Sequence, residues 1–332
     1  MKIRLSIWLM MAAATAVMVL AIWQHHSHST LTGQPLVQTS HQESMSPVVV
    51  VKQAPTTPVK TAPIRIAAPA QISASIQMIV SGSASFQARE GAIKKLAGRL
   101  PDDDLKSLYD FLRQPGLADG QQPSQVLKNE LMDALCELQP PPQGLRDLLT
   151  QIYQNTSQDL VLRDYAVQHL AAFYRQMSSA VGMDGQMQAN ELQQTRQTLL
   201  DALNQTDSSI AGTALLGLSQ LAQAHWPGLN PDQISDAALK LAGDASVGEL
   251  SKITAFQVCA SLNTKDAVPL VQYAAEKGQT VPVQISAIAA LGALGDASQI
   301  PLLNSLIQGD NDRLRLPAQH ALSQINGRLK HS

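Results

Sequence analysis

From about Ser81 onward, apolar residues recur with a helical period and the pattern then repeats itself along the chain. Ala287, Ala290, Leu291 and Leu294 occupy i, i+3, i+4 and i+7, one stripe on one helix, and Ala318, Ala321, Leu322 and Ile325 repeat it. Lys252-Ile253-Thr254-Ala255 aligns without a gap on Gln284-Ile285-Ser286-Ala287, so the local period is 32 residues. The same template, walked backwards, meets Ala214-Leu218-Leu221, Ala166-Leu170-Phe173, Leu131-Ala134-Leu135-Leu138 and, more faintly, Ala92-Leu96. A second apolar-periodic stretch follows each stripe, as at Leu105-Leu108-Phe111-Leu112, Leu145-Leu148-Leu149-Ile152 and Ile300-Leu303-Leu306-Ile307, with Pro, Gly or Asp at the junctions.

The unit is therefore a two-helix hairpin. One hairpin cannot cover both of its apolar faces, so neighbours must stack and share a continuous core. The pattern predicts an all-α chain whose residues 81–328 form an α-solenoid of about seven units. The spacing, the paired helices and the short Leu-Gly-Ala-Leu-Gly-Asp turn at 291–296 resemble HEAT repeats, particularly the shorter HEAT-like repeats of the phycobilin lyase class. In that family a basic residue commonly stands three positions before the small residue of the first helix. The matching positions are Arg89, Lys128, Arg163, Ala211, Lys252, Gln284 and Arg315. Bonding between neighbouring units, through carbonyls or carboxylates, is the role expected of the basic ones.

The N-terminal pattern is different. Lys2 and Arg4 precede an uncharged run from Leu5 to Trp23 that would span about 28 Å as a helix, close to one hydrocarbon core. Residues 1–24 read as a transmembrane anchor with the N-terminus cytoplasmic; cleavage of a signal sequence near Ala12 to Ala16 is the alternative. Either reading exports the body. From His25 to about Gln71 the chain lacks helical periodicity and carries repeated Pro in a Thr, Ser, Val and Gln background, which predicts a disordered linker over residues 25–80.

Charge changes the functional picture. Before residue 80 there are five Lys/Arg and one Glu; from 80 onward there are 19 Lys/Arg against 25 Asp/Glu. An acidic body lacks the basic patches that nucleic acid requires, so no nucleic-acid partner is expected. Only 4% of residues are aromatic and 15% are charged, a composition suited to closely packed helices.

Candidate chemistry is sparse. Cys136 and Cys259 fall three units apart, too far for a disulfide when helix layers are about 8–10 Å apart, and read as buried small hydrophobes. His25, His26 and His28 lack a carboxylate or Cys to complete a metal set. Gly217-Leu218-Ser219 begins like a nucleophile elbow but sits in a helix without a preceding strand, and Asp310-Asn311-Asp312 reads as a helix cap rather than a calcium loop. No metal, cofactor or catalytic residue is expected, and the chain reads as non-enzymatic. Two stretches, Ser178 to Gln188 and Ala224 to Pro231, look longer than the array needs; Trp226 in the second is either a contact residue or a lid over the stack.

The expected function is a membrane-anchored interaction scaffold, held in a bacterial inner membrane by residues 5–23 with its repeats in the periplasm, binding a protein or peptide. The bacterial and periplasmic parts rest on the N-terminal pattern and the resemblance. The alternatives are a tetrapyrrole lyase-type enzyme and a purely structural envelope tether. Resemblance to HEAT arrays implies that the second helices line a concave face. The outward positions there are Arg196, Gln197, Gln272, Tyr273, Glu276, Asn304 and Gln308, with Trp226 on a rim loop as a further candidate contact.

Overall fold

A computed structural model describes residues 72–115, 121–205, 208–277 and 280–331, all within one unit spanning Ile66–Ser332. The expected anchor, His25-His26-Ser27-His28 and most of the expected linker lie outside the described residues. No helix among the described residues is long and apolar enough to cross a membrane.

The described chain contains helices α1 (Ala74–Val80), α2 (Phe86–Ile93), α3 (Asp102–Arg113), α4 (Gln121–Glu137), α5 (Leu145–Gln154), α6 (Leu160–Ser179) and α7 (Gly185–Ala202). They are followed by α8 (Ile210–Gln223), α9 (Pro231–Gly243), α10 (Glu249–Ser261), α11 (Val268–Glu276), α12 (Val281–Leu294), α13 (Ile300–Gln308) and α14 (Asp312–Leu329), with single 3₁₀ turns before α11 and α13. Local chemistry sets their ends. Asp159 accepts the amides of Val161 and Leu162 at the start of α6, and Asn230 caps α9, whose first residue is Pro231. Asp102, Asp103 and Asp104 fill the first turn of α3 and Arg113 its last, the arrangement that the helix dipole favours. Asn311 accepts the amide of Arg313, so Asp310-Asn311-Asp312 opens α14 as a cap.

Seven first helices (α2, α4, α6, α8, α10, α12, α14) stack on one another in order. Among the described residues six of them are followed by a second helix, so six two-helix hairpins and the first helix α14 stand where about seven units are expected. The stripes meet at small residues: Ala166, Ala214, Ala255, Ala287 and Ala318 are all fully buried. Glycine brings two of these interfaces closer still. A Cβ on Gly292 would lie 2.8 Å from Ala321 Cα, and one on Gly212 would lie 2.9 Å from Ser251 Cα. Backbones approach at these points because no side chain separates them.

The helical fold also starts earlier than the repeat pattern suggests. α1 buries Ile76 and Ile79 against α2 and α3, and Ser73 donates its amide to buried Asp104 Oδ1 at 2.8 Å. In the other direction, the stretch Ser178 to Gln188 is mostly helix. α6 runs to Ser179, Asp184 caps α7, and Gln188 Nε2 donates to the carbonyls of Met177 and Ala180, leaving a short turn.

Four of the five basic first-helix positions, all but Lys252, share one job. Arg89 Nε donates to Ile79 O at 2.8 Å, Arg163 Nε to Tyr153 O at 2.8 Å and Arg315 Nε to Ile307 O at 3.1 Å; Lys128 Nζ donates to Gln114 O. Gln284, though uncharged, reaches Ala275 O at 3.3 Å in the same way. Each acceptor is a carbonyl at the end of the preceding second helix, where the chain has run out of intrahelical donors and the dipole is negative. The side chain thus brackets one unit to the next. Phe111 lies beneath two of these cations, Arg89 at 5.0 Å and Lys128 at 5.7 Å from its ring centre. Burial pushes the Lys128 ammonium down to about 8.

Candidate partner-binding face

On α11, Val271, Ala274 and Ala275 are buried, so Gln272, Tyr273 and Glu276 turn outward or to the edge. Leu303 fixes α13 in the same way and leaves Asn304 and Gln308 exposed. Tyr273 is 62% exposed. Gln272 is only half-exposed: its amide donates to Glu276 Oε1 at 3.0 Å, and its carbonyl accepts from Gln299 Nε2 at 3.5 Å. Gln299 belongs to the 3₁₀ turn leading into α13, so this bond joins the α11 and α13 faces. The result is a small amide-rich surface with one phenol standing proud of it.

Arg196 and Gln197 sit elsewhere, on α7, with α9 between α7 and α11 in the chain. Gln197 is exposed and donates to Asp201 at 2.8 Å. Arg196 is a brace: its Nη1 donates to Gly228 O at 2.6 Å, and Tyr174 donates its hydroxyl to Pro227 O. Burial pushes the Tyr174 phenol up, partly offset by Arg196. These bonds hold the loop of residues 224–230 down, with His225 and Gly228 in the left-handed region at φ 59° and 76°. Trp226 is half-buried against the core, which fits a lid better than a free contact residue.

Two recesses on the described surface lie on first helices, which the sequence pattern did not single out. One, of about 450 Å³, runs between α2 and α4 and is edged by Glu130, Asp133 and Glu137. The other, of about 310 Å³, crosses the N-terminal ends of α6, α8 and α10 and is lined by Leu160, Val161, Asp164, Tyr165, Ser209 and Leu250, among others. The available signals were off-stripe apolar residues: Leu160, Val161 and Leu250 fall outside the buried stripes of their helices and are 44%, 45% and 64% exposed.

Behind the first groove, His169 is 5% exposed and Nε2 contacts Asn129 Oδ1 at 2.8 Å, while Nδ1 faces Asp133 Oδ1 at 4.0 Å. Burial pushes this imidazole down to about 4, against a smaller upward pull from Asp133. Cys136 and Cys259 are both buried and unpaired; burial pushes both thiols up, Cys259 to about 12. Among the described residues no three His, Cys, Asp or Glu side chains come together as a metal site.

Comparison with known proteins bears on the fold. Residues 237–323 match the family described as HEAT repeats. No curated protein matches the chain. Among solved structures, human deoxyhypusine hydroxylase in complex with glycerol is 18% identical, covering 76% of this chain and 95% of its own, with a TM-score of 0.31. A designed armadillo repeat protein is 16% identical, covering 76% and 98%, with a TM-score of 0.36. Scores this low say nothing about what the chain binds or does. The family match lies on the C-terminal hairpins, where the repeat is clearest; with the stacked hairpins that precede them, it supports a HEAT-like repeat fold.

Proposed function

We propose that the chain is a membrane-anchored interaction scaffold, acting by binding rather than by catalysis, that docks a protein or peptide on the outward face of α11 and α13. In this reading residues 5–23 hold it in a bacterial inner membrane and the repeats face the periplasm. Tyr273 carries the proposal. A tyrosine 62% exposed next to Gln272 on α11, with Asn304 and Gln308 exposed on α13, offers an aromatic anchor together with amide donors and acceptors, which suits a peptide backbone or a polar protein surface. With few charges on this face, long-range steering is weak and binding changes little with salt.

The test is crosslinking of the full chain in alkali-washed membranes, followed by identification of the captured partner. A combined Gln272→Ala, Tyr273→Ala and Asn304→Ala variant is expected to lose that partner while melting like wild type. Replacing Lys94, Lys95 and Arg99, near the end of α2, is expected to leave it bound. A partner kept by the first variant and lost by the second, or binding that collapses between low and moderate salt, refutes the assignment.

A further inference from the structure

We infer that the groove across α6, α8 and α10 is a separate docking site, for an apolar peptide segment carrying one lysine or arginine. Two independent features point there. The first is its rim. Leu160 and Val161 on α6 and Leu250 on α10 are large aliphatics about half exposed, and they converge from two first helices onto one recess of about 310 Å³. Scattered exposed aliphatics are ordinary on a protein surface; a convergent set around a concavity is not. The volume lies at the lower end of ligand pockets and holds a few side chains.

The second feature is charge. Asp164 is the one ionised group among the lining residues. Its Oδ2 accepts the Ser209 hydroxyl at 2.6 Å, whereas Oδ1 is shielded from water and has no donor among the described residues. The carboxylate thus leaves one full negative charge at the recess with a single hydroxyl donor and no cation, and an incoming ammonium or guanidinium would supply the opposite charge. Nearby cations do not meet this carboxylate: Arg163 is turned to Tyr153 O, and Lys252 makes no ion pair with Asp164. The helix ends at the groove do not call for an anion either. Asp159 already caps α6, Ser251 Oγ accepts the Gly212 amide near the start of α8, and Glu249 occupies the first turn of α10. An anionic lipid surface would meet Asp159, Asp164 and Glu249, so a cationic apolar peptide fits where a membrane does not.

The probe is a phage-displayed library of random 12-residue peptides, selected on the immobilised full chain and counter-selected on its Leu250→Glu variant. Leu250 is exposed, so this change leaves the fold intact, which a thermal melt checks. Enriched peptides are expected to carry a Lys or Arg flanked by Leu, Ile, Val or Phe. As synthetic peptides they are expected to bind Leu250→Glu about tenfold or more weakly and to lose their preference for the basic residue over norleucine on Asp164→Asn. The Gln272, Tyr273 and Asn304 triple variant keeps this binding, which separates the groove from the α11 and α13 face. The inference is overturned if no peptide survives counter-selection or if the survivors lack a basic residue. It is also overturned if Leu250 instead controls binding to phosphatidylglycerol vesicles or self-association in sedimentation.

Discussion

Acid is expected to loosen the array at His169. This side chain is buried on α6, contacting Asn129 of α4 through Nε2, and burial holds its pKa near 4 against an ordinary value of 6.5. The unfolded chain therefore takes up a proton before the folded one does. Stability from this group is complete above pH 6.5 and is lost as pH falls towards 4. At 1.36 kcal/mol per pH unit the full loss is about 3 kcal/mol, of which about 2 kcal/mol falls between pH 7.5 and pH 5. For a chain of this size that corresponds to a fall of about 4–8 °C in Tm. His169→Gln keeps an amide donor for Asn129 and removes the titration. Melting both proteins by circular dichroism at pH 7.5 and pH 5 isolates the effect, because the remaining acidic and basic groups are common to both. Wild type is expected to lose about 4–8 °C more than the variant. Equal losses would falsify the argument, showing that the imidazole is either reachable by water or charged without penalty in the fold.

Two further outcomes test the packing. Ala287→Asp buries a carboxylate between α10, α12 and α14 with no cation to meet it, so a loss of several kcal/mol and melting of more than one hairpin are expected; a melt within about a degree of wild type refutes the register. Arg163→Met removes the bracket on Tyr153 O while keeping the apolar stem, with an expected cost of about 1–3 kcal/mol in urea unfolding, and an unchanged midpoint would show that water serves that carbonyl equally well.

The repeat was legible because its buried positions use the same small residues at each turn of the stack. Ala287 and Ala318 occupy equivalent places and both are fully buried. The basic positions were legible as a register mark, and the structure supplies their chemistry: a donor for the final carbonyls of the helix before. α1 was hidden because its seven residues are too few to display a period. The turn before α7 was misjudged because Gln188 reaches back to two carbonyls, a bond that no local pattern announces. The α6, α8 and α10 groove was invisible for a different reason. Its members belong to three repeats, and off-stripe leucines resemble core residues until the helices are placed.

The brackets between units are not evenly spread. They close the joints at α1/α2, α3/α4, α5/α6, α11/α12 and α13/α14, but Ala211 has no donor to offer at α7/α8, and Lys252 makes no such bond at α9/α10. Regarded as a spring, the array changes its couplings in the middle: Ser251 of α10 donates to Ser208 O and accepts the Gly212 amide of α8, and Ser209 at the start of α8 donates to Asp164 of α6. Tension applied between its two ends would therefore pass through α6, α8 and α10 along these short serine contacts between first helices, at the edge of the recess bounded by Leu160 and Leu250, and through long basic side chains at most of the other joints.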